Sequence, residues 1–111
     1  MSPLAGVKKG NRFARAVAAY LGTEPRVLNG ALDRGDIVHK RWTLECKAPG
    51  RGKPLNMSAA MTEAKKEAVN AGTENKYAVI TRRTGYPVEE AFFTMPIWMA
   101  RQVIPDLEVP E

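Results

Sequence analysis

The chain has 111 residues, 44% of them hydrophobic, and carries 17 Lys and Arg against 12 Asp and Glu, a formal net charge of +5. That length accommodates one hydrophobic core rather than two, and the apolar share excludes a chain disordered throughout. A single cysteine, Cys46, excludes an intramolecular disulfide and a multi-cysteine metal centre.

The first predicted elements are a loose arm at residues 1–7 and a helix from Lys9 to Leu21. Phe13, Val17, Tyr20 and Leu21 fall on one face of that helix, Arg12 and Arg15 lie off it, and Gly22 supplies the stop. Short extended segments follow at Arg26–Asn29, Asp36–His39 and Arg41–Ala48. In the last, Trp42, Leu44 and Cys46 alternate with Thr43, Glu45 and Lys47, the period of a strand. The stretch APGRGKPL breaks regular structure. A second helix spans roughly Met57–Ala71, with Met57, Met61, Ala64 and Ala68 on one stripe and Gly72 beyond it. YAVIT (Tyr77–Thr81) reads as a strand covered on both faces, Glu90–Met95 as another strand, and Pro96–Val103 as a short helix. Ile104–Glu111 reads as an irregular acidic tail. The unit 41–48, 57–71, 77–81 implies a right-handed parallel crossover, and the antiparallel pair before it makes the sheet mixed.

No apolar run approaches the ~20 residues that span a bilayer, and the opening MSPLAGVKKG lacks the apolar region of a signal peptide. A soluble, cytoplasmic protein without a membrane partner is expected. The charge is uneven. Residues 1–55 carry eleven Lys and Arg against four acids, a net of +7, whereas the remainder carries six against eight, a net of −2. A basic half suggests a polyanionic partner, nucleic acid before acidic membrane; a solvated cationic surface is the plain alternative.

The richest stretch is DRGDIVHKRWTLECKAPG, residues 33–50. If Asp36–His39 and Trp42–Lys47 form a hairpin turning at Lys40-Arg41, then His39 faces Trp42, Ile37 faces Leu44 and Asp36 faces Glu45. Lys47 shares the face of Glu45. Two carboxylates so close demand a shared proton or a divalent cation. Mg²⁺ suits such a pair, the backbone carbonyl of Cys46 offers a third oxygen, and Lys47 stands by as a fixed positive charge for water or phosphate. A surface salt bridge between Lys47 and one acid is the alternative.

Asp36 followed by Glu45-x-Lys47 resembles the PD-(D/E)xK nuclease superfamily, most closely the small Holliday junction resolvase-like endonucleases of phage and archaeal type. The opening helix of that group, G-x-R-F-E-x-x-V-x-x-Y-L, is matched here by Gly10-Asn11-Arg12-Phe13-Ala14-Arg15-Ala16-Val17-Ala18-Ala19-Tyr20-Leu21. Asn29-Gly30, Asp33-Arg34-Gly35-Asp36-Ile37, Leu44-Glu45-Cys46-Lys47 and a following helix with Glu63 and Glu67 also look like the group's pattern, over about residues 10–83. The resemblance implies an α/β restriction endonuclease-like core of α-β-β-β-α-β order with a short C-terminal strand and helix. It further implies a homodimer and a Mg²⁺-dependent endonuclease on branched DNA, with Mn²⁺ as substitute. Asp36, Glu45 and Lys47 are the catalytic residues so implied, with the metal on Asp36, Glu45 and the Cys46 carbonyl.

One departure stands out: the family's first-helix acid falls at Ala14. Either Asp36 and Glu45 suffice, or Glu63 or Glu67 takes over, or the chain binds DNA without cutting well. A non-catalytic DNA-binding protein is therefore the first alternative, and an RNA-binding or assembly module with a structural Asp36–Glu45–Lys47 cluster the second.

Arg12, Arg15, Lys8 and Lys9 are candidate phosphate contacts, or else a solvated face. Arg34 lies in a glycine-bounded turn within reach of a phosphate, or pairs with Asp33. Arg51 and Lys53, on the loop after Lys47, make a candidate DNA clamp, or an ordinary surface loop; the Gly50–Lys53 string lacks P-loop spacing. His39 reads as a surface residue and Cys46 as a core one. Trp42, Met61, Phe92 and Phe93 read as core, while Trp98 and Met99 suit either a dimer patch or packing on the sheet.

Overall fold

The computed structural model describes residues 5–26 and 35–110, with side chains from residue 12 onward. The Asn29-Gly30 element, Asp33, Arg34 and the side chains of Lys8 and Lys9 lie outside the described residues. The described chain runs α1 (Ala5–Leu21), β1 (Thr43–Lys47), α2 (Met57–Ala71), β2 (Tyr77–Thr81), β3 (Phe92–Thr94) and α3 (Ile97–Val103), with single 3₁₀ turns at Val88–Glu90 and Pro105–Leu107.

Helix α1 begins at Ala5, so residues 5–7 are helical rather than part of an arm. Its buried stripe is Phe13, Ala14, Val17 and Ala18, adjacent rows of a 3.6-residue period. Tyr20 and Leu21 are exposed, contrary to the expected face, because the chain turns away at Gly22. There φ is +77°, and Thr23 N donates to Ala18 O at 2.8 Å, closing the helix.

Helix α2 has the expected bounds. The Asn56 side chain accepts from Ala59 N at 3.0 Å, and left-handed Gly72 ends the helix. Its buried face is Ala60, Ala64, Glu67 and Ala68, three alanines that let the backbone approach the sheet, and one carboxylate among them.

The sheet has the order β1-β2-β3. β1 and β2 are parallel, with Glu45 opposite Val79, and β2 and β3 are antiparallel, with Ile80 opposite Phe93. This is a small α/β fold with a mixed three-stranded sheet. On one face α1 packs with Leu44, Cys46, Ala78, Ile80 and Ile37. On the other, α2 packs with Tyr77, Val79 and Met99 of α3. Tyr77–Ile80 are buried on both faces, as the apolar run predicts, but so are Thr43–Cys46, where alternation predicts a half-exposed strand. Thr43 achieves this by a 2.7 Å hydroxyl–hydroxyl hydrogen bond to Thr73, and Glu45 lies under α2.

The predicted hairpin does not form. Residues 38–42 have no strand pairing, and Ile37 makes a single antiparallel bridge to Pro25. Asp36 meets β1 through one backbone bond, its N–H to Leu44 O at 2.9 Å. The cause lies in the turn: Lys40-Arg41 lacks the left-handed residues of a tight hairpin. Instead, His39 Nδ1 accepts from Arg41 N and Trp42 N, both at 3.1 Å, which gives the half-buried His39 a turn-stabilising role. Phe92 and Phe93 are exposed rather than core, because β3 is a three-residue edge strand with no helix over it. Met99 packs fully, its sulfur accepting from Tyr77 N at 3.3 Å, while Trp98 stays half-exposed. No helix among the described residues is long and apolar enough to cross a membrane.

Candidate active site

In a parallel pair, alternate residues of each strand bond to the neighbour and the others point outward. Thr43 N reaches Lys76 O and Lys47 O receives Arg82 N, so odd-numbered residues of β1 face β2. The polar groups of Leu44 and Cys46 point to the opposite edge, where Asp36 lies. Asp36 Oδ2 accepts from Cys46 N at 2.8 Å. The Asp36 carboxylate is thus pinned beside Glu45 by its own side chain, not by hairpin pairing. The Cys46 carbonyl opens onto that same edge, as its expected ligand role needs.

Glu45 shares the face of its register partner Val79, beneath α2. It meets Glu63 and Glu67 there: one oxygen from each of the three glutamates lies within 4.8 Å of the others. Glu45 is only 5% exposed and Glu67 3%, while Glu63 is open to solvent. Lys47 Nζ sits 3.1 Å from Glu63 Oε2 and 3.8 Å from Glu45 Oε1. Glu45, Glu63, Glu67 and Lys47 therefore gather on the α2 face at the carboxyl end of β1; Asp36 is not part of the glutamate trio but sits at the strand edge, its charge felt by Glu45.

Burial first, then the hydrogen bond to Glu67, the charge of Asp36 and the charge of Glu67 push the Glu45 carboxyl up to about 11. Burial and the neighbouring acids thus favour the protonated form of the Glu45 carboxyl, and the shorter ionic contact of Lys47 is the one to Glu63. Partial burial lowers the Lys47 ammonium, but the Glu63 hydrogen bond and the charges of Glu45, Glu63 and Asp36 outweigh it, so its net shift is upward. Burial, with Asp36 and Glu45 nearby, raises the Cys46 thiol, which lies in the core as expected.

Ala14 packs in the α1-side cluster with Ile37, Leu44 and Cys46. A carboxylate at that position would enter the cluster, whereas α2 brings two carboxylates to Glu45 from the opposite face. The signal in the sequence is Glu67 in register with Ala60 and Ala64, an acid on a helix's small-residue stripe.

Among the expected phosphate contacts, Arg12 and Arg15 are exposed on α1. Arg51 and Lys53 are exposed in a turn closed by Lys53 N to Gly50 O at 3.0 Å, on the loop leaving β1. Arg34 lies outside the described residues. Arg82 and Arg83, not singled out from the sequence, follow β2 at the same end of the sheet; two adjacent arginines directly after an apolar strand are the legible signal. No family model matches the chain, and neither the curated proteins nor the solved structures give a match.

Proposed function

We propose that the chain is a metal-dependent endonuclease of PD-(D/E)xK type that hydrolyses phosphodiester bonds in branched DNA, a four-way junction first, and works as a cytoplasmic homodimer. The observation that carries this reading is the convergence of Asp36, Glu45, Glu63 and Glu67 around Lys47 at one strand end. An all-oxygen set of carboxylates and a carbonyl fits a hard divalent ion, Mg²⁺ or Mn²⁺. Glu45 Oε2 is buried and meets no N–H donor among the described residues, so a cation or a proton must satisfy it.

Asp36, Glu45 and the Cys46 carbonyl would hold the ion, with Glu67 or Glu63 as a further carboxylate. When bound, the ion supplies Lewis acidity toward a phosphoryl oxygen and acidifies a water. Lys47, steadied by Glu63, would place a positive charge where negative charge grows on the phosphoryl oxygens, and orient the attacking water. The exposed cations Arg12, Arg15, Arg51 and Lys53 draw in the phosphate backbone. Two symmetric nicks need two copies, and the exposed Phe92, Phe93, Ile97 and Trp98 at the β3 edge supply an apolar face for a partner copy.

A nicking assay on a four-way junction tests this. The chain should cut in Mg²⁺ or Mn²⁺ and not in chelator. Asp36→Asn and Glu45→Gln should abolish cutting, and Lys47→Met should slow it by about 10²-fold or more. A second reading, a non-catalytic nucleic-acid-binding protein, is favoured by the Lys47–Glu63 pair and the raised Glu45 carboxyl, which together reduce the negative charge of the cluster without metal. A junction bound but never cut in either metal would establish that second reading. Titration with Mn²⁺ that shows no binding would favour an RNA-binding or assembly module.

A further inference from the structure

A cleft of about 220 Å³ opens beside the carboxyl ends of β1 and β2, on the α1 face of the sheet, opposite the acidic cluster. Its cationic rim is Arg12, Arg82 and Arg83, with Tyr86 beside them and an apolar floor that includes Phe13 and Val88. The backbone ties the cleft to the site, because Arg82 N donates to Lys47 O at 2.9 Å. Lys47 aims its side chain at the acids, and the next residue along the neighbouring strand aims at the cleft.

The rim cations are not equivalent. The Arg83 guanidinium lies 3.5 Å from the Tyr86 ring centre and 3.4 Å from Glu90, so its charge is partly neutralised and its plane covers the tyrosine. Arg12 and Arg82 have no carboxylate within salt-bridge distance among the described residues. The cleft therefore offers two uncompensated guanidiniums, a flat Arg–Tyr stack and an apolar floor. Its volume is below that of pockets for whole drug-sized ligands, roughly 300–1,000 Å³. Together these suit one phosphate with part of its sugar and base. A paired base turns its face to its stacked neighbours, so only an unpaired nucleotide can use the floor and the stack.

We infer that this cleft seats one unpaired nucleotide of the substrate strand, its phosphate between Arg12 and Arg82 and its base against the Arg83–Tyr86 stack. This rests on the nucleic-acid reading above and refines it: the substrate is a strand with at least one unstacked nucleotide close to the cut. Forks and flaps present such nucleotides directly, a four-way junction only when its branch-point pairs open, and continuous duplex does not.

Fluorescence anisotropy with labelled single-stranded and duplex oligonucleotides, in chelator so that nothing is cut, tests the assignment. Tyr86→Ala should weaken single-strand binding about fivefold or more and leave duplex binding nearly unchanged. Arg12→Ala with Arg82→Ala should weaken single-strand binding and reduce the salt slope by about 0.7, the value for one single-strand phosphate. Lys66→Ala, on exposed α2, should do neither. Arg12→Gln alone serves if the double variant melts early. Unchanged affinity and slope in the arginine variants would overturn the cleft, as would equal losses on duplex and single strand for Tyr86→Ala. A gain of affinity on adding a 5′-phosphate would overturn it in favour of strand-end binding. A wild-type chain that cuts junctions while these variants bind normally sinks the cleft alone; variants that lose binding in a chain that never cuts sink the nuclease reading alone.

Discussion

Gly35 has φ +98°, and a Cβ there would stand 3.0 Å from Thr43 Cγ2 and 3.1 Å from Leu44 O. Both the left-handed backbone and the close approach require glycine, and that approach carries Asp36 to the edge of β1. Gly35→Ala should therefore lift Asp36 away from Cys46 N and weaken Mn²⁺ binding about tenfold or more, while lowering the melting temperature; calorimetric titration checks the first and a thermal melt the second. Glu45 makes a pH prediction. Its folded-state pKa, about 11, lies above its ordinary 4.5, so between those values the folded chain holds a proton that the unfolded chain releases. The sign is then fixed: the contribution is fully present below 4.5 and is lost as pH rises through the window toward 11. In chelator, the melting temperature should fall from mildly acidic to alkaline pH, and Glu45→Gln should flatten that fall. Parallel curves for the two proteins would overturn the protonated assignment. Asp36, Glu45 and Lys47 are legible in the sequence by residue type and spacing. The Asp36 seat is not, because it depends on a side-chain bond to a main-chain N–H ten positions away.

At the scale of elements, α2 decides whether the cluster exists. Its register against the sheet is set by Ala60, Ala64 and Ala68, and the same register drives Glu67 under the helix toward Glu45. Ala64→Leu adds volume where the side chain is fully buried, which costs about 1–3 kcal/mol and pushes the helix outward. The expected result is a lower melting temperature together with weaker Mn²⁺ binding; a drop in stability with unchanged metal affinity would detach Glu63 and Glu67 from the site. The bounds of α2 and β2 are readable from the sequence because period, cap and stop residue agree there. The segment before β1 is misread as a strand of a hairpin because Ile37 and Val38 lie close before the alternating residues of β1, yet the bonds here run to His39, to the Asp36 side chain and to Glu24 and Arg26 rather than into a ladder. The β3 aromatics are misread as core for a related reason: hydrophobicity signals burial only where another element covers the strand, and composition cannot supply that element.

For the whole molecule, the acids cluster on the α2 face of the sheet end, while Arg12, Arg82 and Arg83 meet on the α1 face. Both features flank the carboxyl ends of the parallel strands, the usual place for a ligand. The β3 edge of the sheet carries the exposed β3–α3 patch, where Ile97 is 80% exposed. If two copies associate there, Ile97→Glu should shift sedimentation toward the monomer and convert paired cuts of a junction into single nicks. An unchanged sedimentation coefficient would remove this face from the interface.

The position of Cys46 has a practical consequence. It is the chain's one thiol, it is buried, and its own N–H is the anchor for Asp36. Alkylation must wait until β1 separates from α1, so the labelling rate of the native protein counts how often the floor of the cluster opens. A ligand that closes the cluster should slow that labelling, giving a readout of occupancy that needs neither a substrate nor an engineered probe.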